Sequence, residues 1–275
     1  MLLSLSPDAK ASNLTDSCMK TKKEIISNWL PRYTGNALED FGDYILLTNF
    51  QNYLEMFCEK MGTSIIDPHA VMPCANADSI SMINFGMGSA NAATIVDLLA
   101  AIQPKAVLFL GKCGGLKRKN QLGDLILPIA AIRGEGTSDD YLPPMVPALP
   151  AFNLQRAVST TIRNKGQDYW TGTVFTTHRR VWDHDENFKD HLRTTRSMAI
   201  DMETATLFIV GFANEIPIGS LLLVTDQPMI STGIKTEKSD KMVTKKYAEL
   251  HLDIGVGSLI ELRDHGESVK HLRFE

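Results

Sequence analysis

Two acidic residues stand where an α/β sheet would put them to use. Met198-Ala-Ile-Asp-Met-Glu203 reads as an apolar strand ending in Met202-Glu203, and an apolar helical segment, Thr204 to Ala213, follows at once. Leu221-Leu-Leu-Val-Thr-Asp226 reads as a second strand that ends in Asp226. In such sheets the strand ends lie side by side at the carboxyl edge, where ligands bind. Two carboxylates then face one crevice. A half-buried carboxyl has its pKa raised by desolvation, which suits a general acid working near neutral pH. Acids at two helix starts, favoured by the helix dipole, would give the same pattern with no chemistry attached.

Two further strand ends are rich in glycine. Asn84-Phe-Gly-Met-Gly-Ser-Ala-Asn-Ala92 opens an almost wholly apolar helix, Ser89 to Ile102. Glycines at Gly86 and Gly88 let backbone N–H groups approach a ligand oxygen, and the helix start adds positive potential. Ala106-Val-Leu-Phe-Leu-Gly-Lys-Cys-Gly-Gly115 reads as a strand entering a tight glycine turn that carries Lys112 and Gly114. A turn packed against a helix accounts for one such motif equally well; four strand ends of this kind argue for a site.

The elements that must hold these residues alternate along the chain. A short helix, Glu24 to Leu30, is expected to stop at Pro31. Strands are expected over 43–47, 79–85, 106–111, 124–133 and 172–176, and helices over 51–61, 153–164 and 184–194. Tyr53, Leu54, Phe57 and Cys58 should face inward. Residues 134–150 form a loop long enough to suspect function. A long terminal helix, 238–262, should turn Met242, Val243, Tyr247, Leu250 and Ile254 to one face. The alternation predicts an α/β fold: one domain with a mixed, mainly parallel central sheet flanked by helices.

Composition narrows the class. With 275 residues, 44% hydrophobic and 22% charged, the chain can bury a full core as one domain. A net charge of −4 gives no bulk attraction for nucleic acid or an anionic membrane, so neither is expected as a partner. No apolar run has the length of a membrane span. Cys18, Cys58, Cys74 and Cys113 show no Cys-x-x-Cys or zinc spacing and read as reduced thiols of a cytoplasmic protein. The seven histidines are scattered, so no metal site is expected. Residues 1–18 read as a loose polar tail, with Met19 as a plausible start and 19–275 as the catalytic domain. A dinucleotide-binding oxidoreductase is disfavoured, because no Gly-x-Gly-x-x-Gly sits early in a βαβ unit with an acid downstream.

Taken in order, Gly86-Met-Gly88, Gly111-Lys-Cys-Gly-Gly115, Gly123-Asp-Leu125, Ile132-Arg-Gly-Glu-Gly-Thr-Ser138, Asp201-Met-Glu203 and Thr225-Asp226 resemble the nucleoside phosphorylase and nucleosidase superfamily. Within it, Leu110 to Leu116, Tyr169 to Val174 leading to Trp182, Asp226 to Met229 and His251 to Gly255 resemble the AMP nucleosidase family. Larger members of that family carry an N-terminal regulatory domain for which these 275 residues leave no room.

The resemblance implies cleavage of an N-glycosidic bond: AMP and water giving adenine and ribose 5-phosphate, with no metal or organic cofactor. It assigns Asp226 as the acid that protonates the base, Glu203 to the ribose hydroxyls, Met202 to packing on the sugar and Trp182 to stacking on the base, with Arg180 a less favoured neighbour. Gly86, Gly88 and Gly114 fall among the substrate-binding positions. Lys112 is a candidate for the 5′-phosphate, with Arg133 and Arg156 as rivals, and the 134–150 loop should border the base and ribose. Phosphorylases of the superfamily place an arginine where this chain has Phe109, and their Gly-Asp-Pro-x-Arg loop is replaced by Leu46-Leu-Thr-Asn-Phe-Gln51; both losses favour water as nucleophile. The alternatives are a purine nucleoside phosphorylase, a nucleosidase for unphosphorylated nucleosides, or an idle nucleotide-binding module, the last disfavoured by the presence of Asp226. The resemblance also implies a ring-like homo-oligomer, often a hexamer.

Overall fold

The computed structural model describes residues 20–265, so the expected tail at 1–18 and Cys18 lie outside the described residues. Helix α1 (Lys22–Thr34) opens on a capping box: Thr21 Oγ1 accepts the Glu24 N–H at 3.3 Å and Glu24 Oε2 accepts the Thr21 N–H at 2.7 Å. Pro31 does not stop it, contrary to the sequence expectation. Proline forfeits one intrahelical hydrogen bond, and burial of Ile26, Leu30 and Thr34 carries the helix on to Gly35. There φ of 72° turns the chain out, and the Gly35 N–H reaches Pro31 O at 2.8 Å.

The chain continues through β1 (Tyr44–Thr48), α2 (Gln51–Met61), β2 (Cys74–Ala77), β3 (Ile80–Asn84), α3 (Ser89–Leu99), β4 (Ala106–Gly115) and β5 (Leu125–Gly134). It then forms α4 (Phe152–Asn164), β6 (Trp170–Thr177), α5 (Glu186–Thr195), β7 (Ala199–Asp201), α6 (Thr204–Ala213), β8 (Ile218–Asp226) and α7 (Glu237–His265). The sheet order is β2-β3-β1-β4-β7-β6-β5-β8, and β8 also pairs with β4, so the last five strands close on themselves. Pairs β1–β3, β1–β4, β4–β8, β5–β6 and β6–β7 are parallel; β2–β3, β4–β7 and β5–β8 are antiparallel. The mixed, mainly parallel sheet is thus the one the alternation predicts.

Each face of the sheet buries its own core. Ile45, Leu47, Phe109 and Val224 pack with α1, α3 and α6; Leu46, Leu108, Leu221 and Leu223 pack with α2, α4 and α7. A period of two along each strand sends alternate side chains to the two cores. A third, smaller cluster gathers Phe175, Trp182, Leu192 and Ile200 beside α5.

Three local expectations are corrected, and strand β2 goes beyond them. Strand β2 carries no β-branched residue in Cys74-Ala-Asn-Ala77, so no strand signal marks this antiparallel edge. Gly111 to Gly115 is not a tight turn but the second half of β4, because β8 and β7 supply ladder partners for it. Its glycines are required by crowding: a Cβ at Gly111 would come 2.5 Å from the Phe109 ring, and one at Gly115 would come 2.9 Å from Asn120 Cβ. On α7, Val243 and Ile254 are buried but Met242 is 55% exposed. Tyr53, Leu54 and Phe57 face the core, whereas Cys58 is half-buried.

Candidate active site

The ends of β1, β4, β7 and β8 converge on one cleft whose walls include Lys112, Gly114, Trp182, Met202, Glu203 and Asp226. Register explains the convergence. In β4–β8, Cys113 pairs with Val224 and Gly114 with Asp226, the ladder slipping between them so that Thr225 is skipped. A residue with no side chain therefore stands opposite the acid. A Cβ at Gly114 would approach the Pro228 ring at 2.9 Å and Ile200 at 3.2 Å, closing that space.

Glu203 directly precedes α6 yet makes no side-chain cap. Asp201 does that work instead: its Oδ2 accepts the Thr204 N–H at 2.8 Å and the Thr204 hydroxyl, and its Oδ1 accepts the Thr176 hydroxyl at 2.7 Å. The helix-start account of the acids thus belongs to Asp201 rather than Glu203. The Glu203 carboxylate, 2% exposed, turns back to the glycine loop. Its Oε1 accepts the Gly88 N–H at 2.8 Å and Asn49 Nδ2 at 3.2 Å, and its Oε2 accepts the Met202 N–H at 3.2 Å. Burial, with Asp201 close by, pushes its pKa above the usual carboxylate range against the pull of those three donors.

Asp226 is also held above its ordinary pKa, chiefly by burial; Lys235, the Thr225 hydroxyl and Arg180 pull the other way. It caps no α-helix, since only a short 3₁₀ turn, Ser231–Gly233, separates β8 from α7. A half-buried carboxyl at a cleft wall, with a raised pKa and, among the described residues, only the Thr225 hydroxyl bonded to it at 3.0 Å, is equipped to donate a proton.

The cations divide into two sets. Lys112, its side chain 4% exposed, sits 4.2 Å from the Phe50 ring centroid and donates to Thr244 Oγ1 at 2.7 Å. Asp240 Oδ1 lies 3.4 Å from Lys112 Nζ and 3.0 Å from Lys235 Nζ, so one carboxylate bridges two lysines at the cleft wall. Burial lowers the Lys112 pKa. Arg180 also lines the cleft, and Arg179 does so while bonded to Asp185 at 2.8 Å.

Arg133 is not brought to the cleft. Its guanidinium spends its donors on Ser138, Asp139, Leu142, Pro143 and Val146, tying the 134–150 loop together. That loop is latched by Tyr141 to Asp97 at 2.6 Å and contributes nothing to the cleft wall in this chain. Arg156 lies on α4, likewise away from the cleft. Gly86 is beside the site, with φ of 78° and its N–H bonded to Asn84 Oδ1 at 3.2 Å. The glycine N–H groups therefore hold protein oxygens, Gly88 that of Glu203. Trp182 lines the cleft and packs edge-on against Phe188 at 5.3 Å.

Asn49, Lys235 and Asp240 join the site without having been read from the sequence. Asn49 directly follows β1, so the carboxyl-edge rule that found Glu203 applies to it too; the region of Lys235 and Asp240 offers no such signal. Among the described residues no group of three or more His, Cys, Asp or Glu is placed to hold a metal ion, and no helix is long and apolar enough to cross a membrane.

This α/β sheet, with its cleft at converging strand ends, is that of the phosphorylase superfamily, and the chain belongs to that family, whose model matches residues 43–259. Among particular proteins, it resembles a solved structure of AMP nucleosidase from Bacteroides thetaiotaomicron VPI-5482: 57% identity, TM-score 0.81, covering 90% of this chain and 100% of that one. AMP nucleosidase of Escherichia coli K12 is 28% identical over 284 residues, an alignment covering 86% of this chain. The chain spans 58% of the length of that curated relative. Uridine phosphorylase from Vibrio fischeri ES114 shares the fold, with TM-score 0.73 at 20% identity over 82% of this chain and 94% of that one.

Proposed function

We propose that this chain hydrolyses the N-glycosidic bond of AMP to adenine and ribose 5-phosphate. The carrying observation is the pairing of Asp226, an acid with a raised pKa, with buried Glu203 on the walls of one cleft. The 57% identity to an AMP nucleosidase supports the choice of substrate.

Adenine leaves poorly as an anion. Asp226 donates its proton to N7 as the C1′–N9 bond breaks, and the electron pair of that bond stays on the base. Positive charge then builds on the sugar, where hydrogen bonds to its hydroxyls strengthen, the role given to Glu203 with Met202 against the ring. Trp182 offers an indole face for the purine. Water bonds to C1′, and the proton it releases restores the acid. Lys112 and Lys235 form the cationic end of the cleft, suited to a 5′-phosphate that would share them with Asp240.

Water is favoured over phosphate as nucleophile because Phe109 is a core residue, 1% exposed and packed on Phe85 at 5.7 Å. Assembly into a homo-oligomer belongs to the same proposal; exposed apolar side chains such as Met145, Phe152 and Val181 leave surface for it. So does a cytoplasmic setting, in keeping with the free thiols of Cys58, Cys74 and Cys113. The test is product analysis with AMP and with adenosine, each with and without inorganic phosphate. Adenine and ribose 5-phosphate from AMP without phosphate are expected. Cleavage of adenosine only when phosphate is added would overturn the reading in favour of a phosphorylase.

A further inference from the structure

Asn49 makes one of the four hydrogen bonds open to its side-chain amide. It follows β1, whose last residue, Thr48, pairs with Asn84 of β3 and Leu110 of β4, so it enters the cleft between the ends that carry Gly88 and Lys112. Its Nδ2 donates to Glu203 Oε1 at 3.2 Å, while its Oδ1 is shut off from solvent and has no donor among the described residues. Rotating the amide by half a turn gives no relief while Glu203 is ionised. Glu203 Oε1 already accepts the Gly88 N–H at 2.8 Å, so a carbonyl oxygen turned toward it would set two acceptors face to face. A buried acceptor without a donor is destabilising and, at a cleft wall, marks a place where a bound group supplies the missing hydrogen.

We infer that Asn49 is a positioning residue for Glu203 and that its Oδ1 accepts a hydrogen bond from an O–H group of the reactants, either a sugar hydroxyl of the nucleotide or the attacking water. The inference rests on the nucleosidase reading. Because Asn49 shares Glu203, it belongs to the sugar side of the cleft, where O–H groups are the donors brought by both reactants. One amide then performs two tasks: Nδ2 fixes the carboxylate, and Oδ1 orients the hydroxyl that the carboxylate meets. Removing Nδ2 takes a donor from the charged form of Glu203 and raises its pKa further.

The test compares wild type, Asn49→Ala and Asn49→Asp on AMP, 2′-deoxy-AMP and 3′-deoxy-AMP. Asn49→Ala is expected to lose about tenfold or more in kcat/KM on AMP and to shift a limb of the pH–rate profile upward. Asn49→Asp keeps the acceptor but places a second carboxylate beside Glu203, so its pH shift should be larger. A loss that disappears with one deoxynucleotide identifies that sugar hydroxyl as the donor. A loss that persists with both and falls on kcat identifies the water. Rates within about twofold of wild type with an unmoved pH profile would overturn the inference. A crystal of the wild-type protein with adenine and ribose 5-phosphate decides independently of how the variants fold: an oxygen within about 3.2 Å of Asn49 Oδ1 is expected, and a filled cleft with Oδ1 still unpartnered overturns it. If wild type leaves AMP intact and cleaves adenosine with phosphate, the functional reading fails on its own, and the same comparison on adenosine and its deoxy forms decides the role of Asn49.

Discussion

Lys235 stands one hydroxyl away from Asp226: Thr225 Oγ1 receives Lys235 Nζ at 3.2 Å and donates to Asp226 Oδ1 at 3.0 Å. The ammonium therefore acts on the acid at a distance and does not pair with it directly, and burial wins over its pull. Asp226→Asn removes the transferable proton while keeping the shape and the Thr225 contact. We expect kcat on AMP to fall by about a hundred- to ten-thousandfold with KM within about threefold. Steady-state kinetics measure both, and a near-normal kcat would remove Asp226 from its role.

The same relay yields a pH prediction. Thr225→Val deletes the hydroxyl that favours the charged carboxylate, so the Asp226 pKa rises further. An acid must be protonated to act, so activity is lost as pH rises through its pKa. The high-pH limb of the kcat profile should therefore move to higher pH in Thr225→Val. A limb that stays in place, or moves down, would assign it to another group.

Strand ends were legible because apolar runs that stop at Glu203 and Asp226 obey a rule of sheets, not of particular families. The same rule, applied to the run ending at Thr48, leads to Asn49, whose neutral amide drew no attention beside two acids. The Gly88 N–H donates to Glu203, a pairing across 115 residues that no local pattern encodes. Arg133 misled because an arginine in a glycine-rich loop looks the same whether it binds a ligand or, as here, ties the loop to itself. Lys235 and Asp240 meet Lys112 only through the way the start of α7 lies over β4 and β8, which depends on tertiary packing of α7.

That lysine pair carries a selectivity prediction. Lys112→Met and Lys235→Met each remove one cation from the end of the cleft assigned to the 5′-phosphate. Each should raise KM for AMP by about tenfold or more while leaving the inhibition constant of adenine, a product without phosphate, within about twofold. Lys235→Met also withdraws a positive charge from Asp226, so its kcat profile should shift to higher pH, whereas Lys112→Met should not. Equal losses of affinity for AMP and for adenine would mean that the lysines hold α7 in place and do not contact phosphate.

The buried pair Tyr53 and His251 contributes to the response of the fold to acid, beside carboxylates such as Asp97 and Asp240 whose pKa values are lowered. His251 Nε2 lies 3.0 Å from Leu221 O, an oxygen that only accepts, so Nε2 carries the proton and Nδ1 accepts the Tyr53 hydroxyl at 2.9 Å. Burial holds the imidazole neutral and lowers its pKa from 6.5 to about 4. Below pH 6.5 the unfolded chain takes up a proton that the folded chain refuses, so stability is full above that pH and drains away as pH falls toward 4. The loss approaches about 3 kcal/mol at the lower end. Urea unfolding at pH 7 and at pH 4.5 measures it. In His251→Gln stability at pH 7 should drop by about 1–3 kcal/mol, because the hydrogen bonds linking α7 to α2 and β8 are weakened, but much of the acid-dependent loss should vanish. An unchanged difference between the two pH values in the variant would place the acid sensitivity elsewhere.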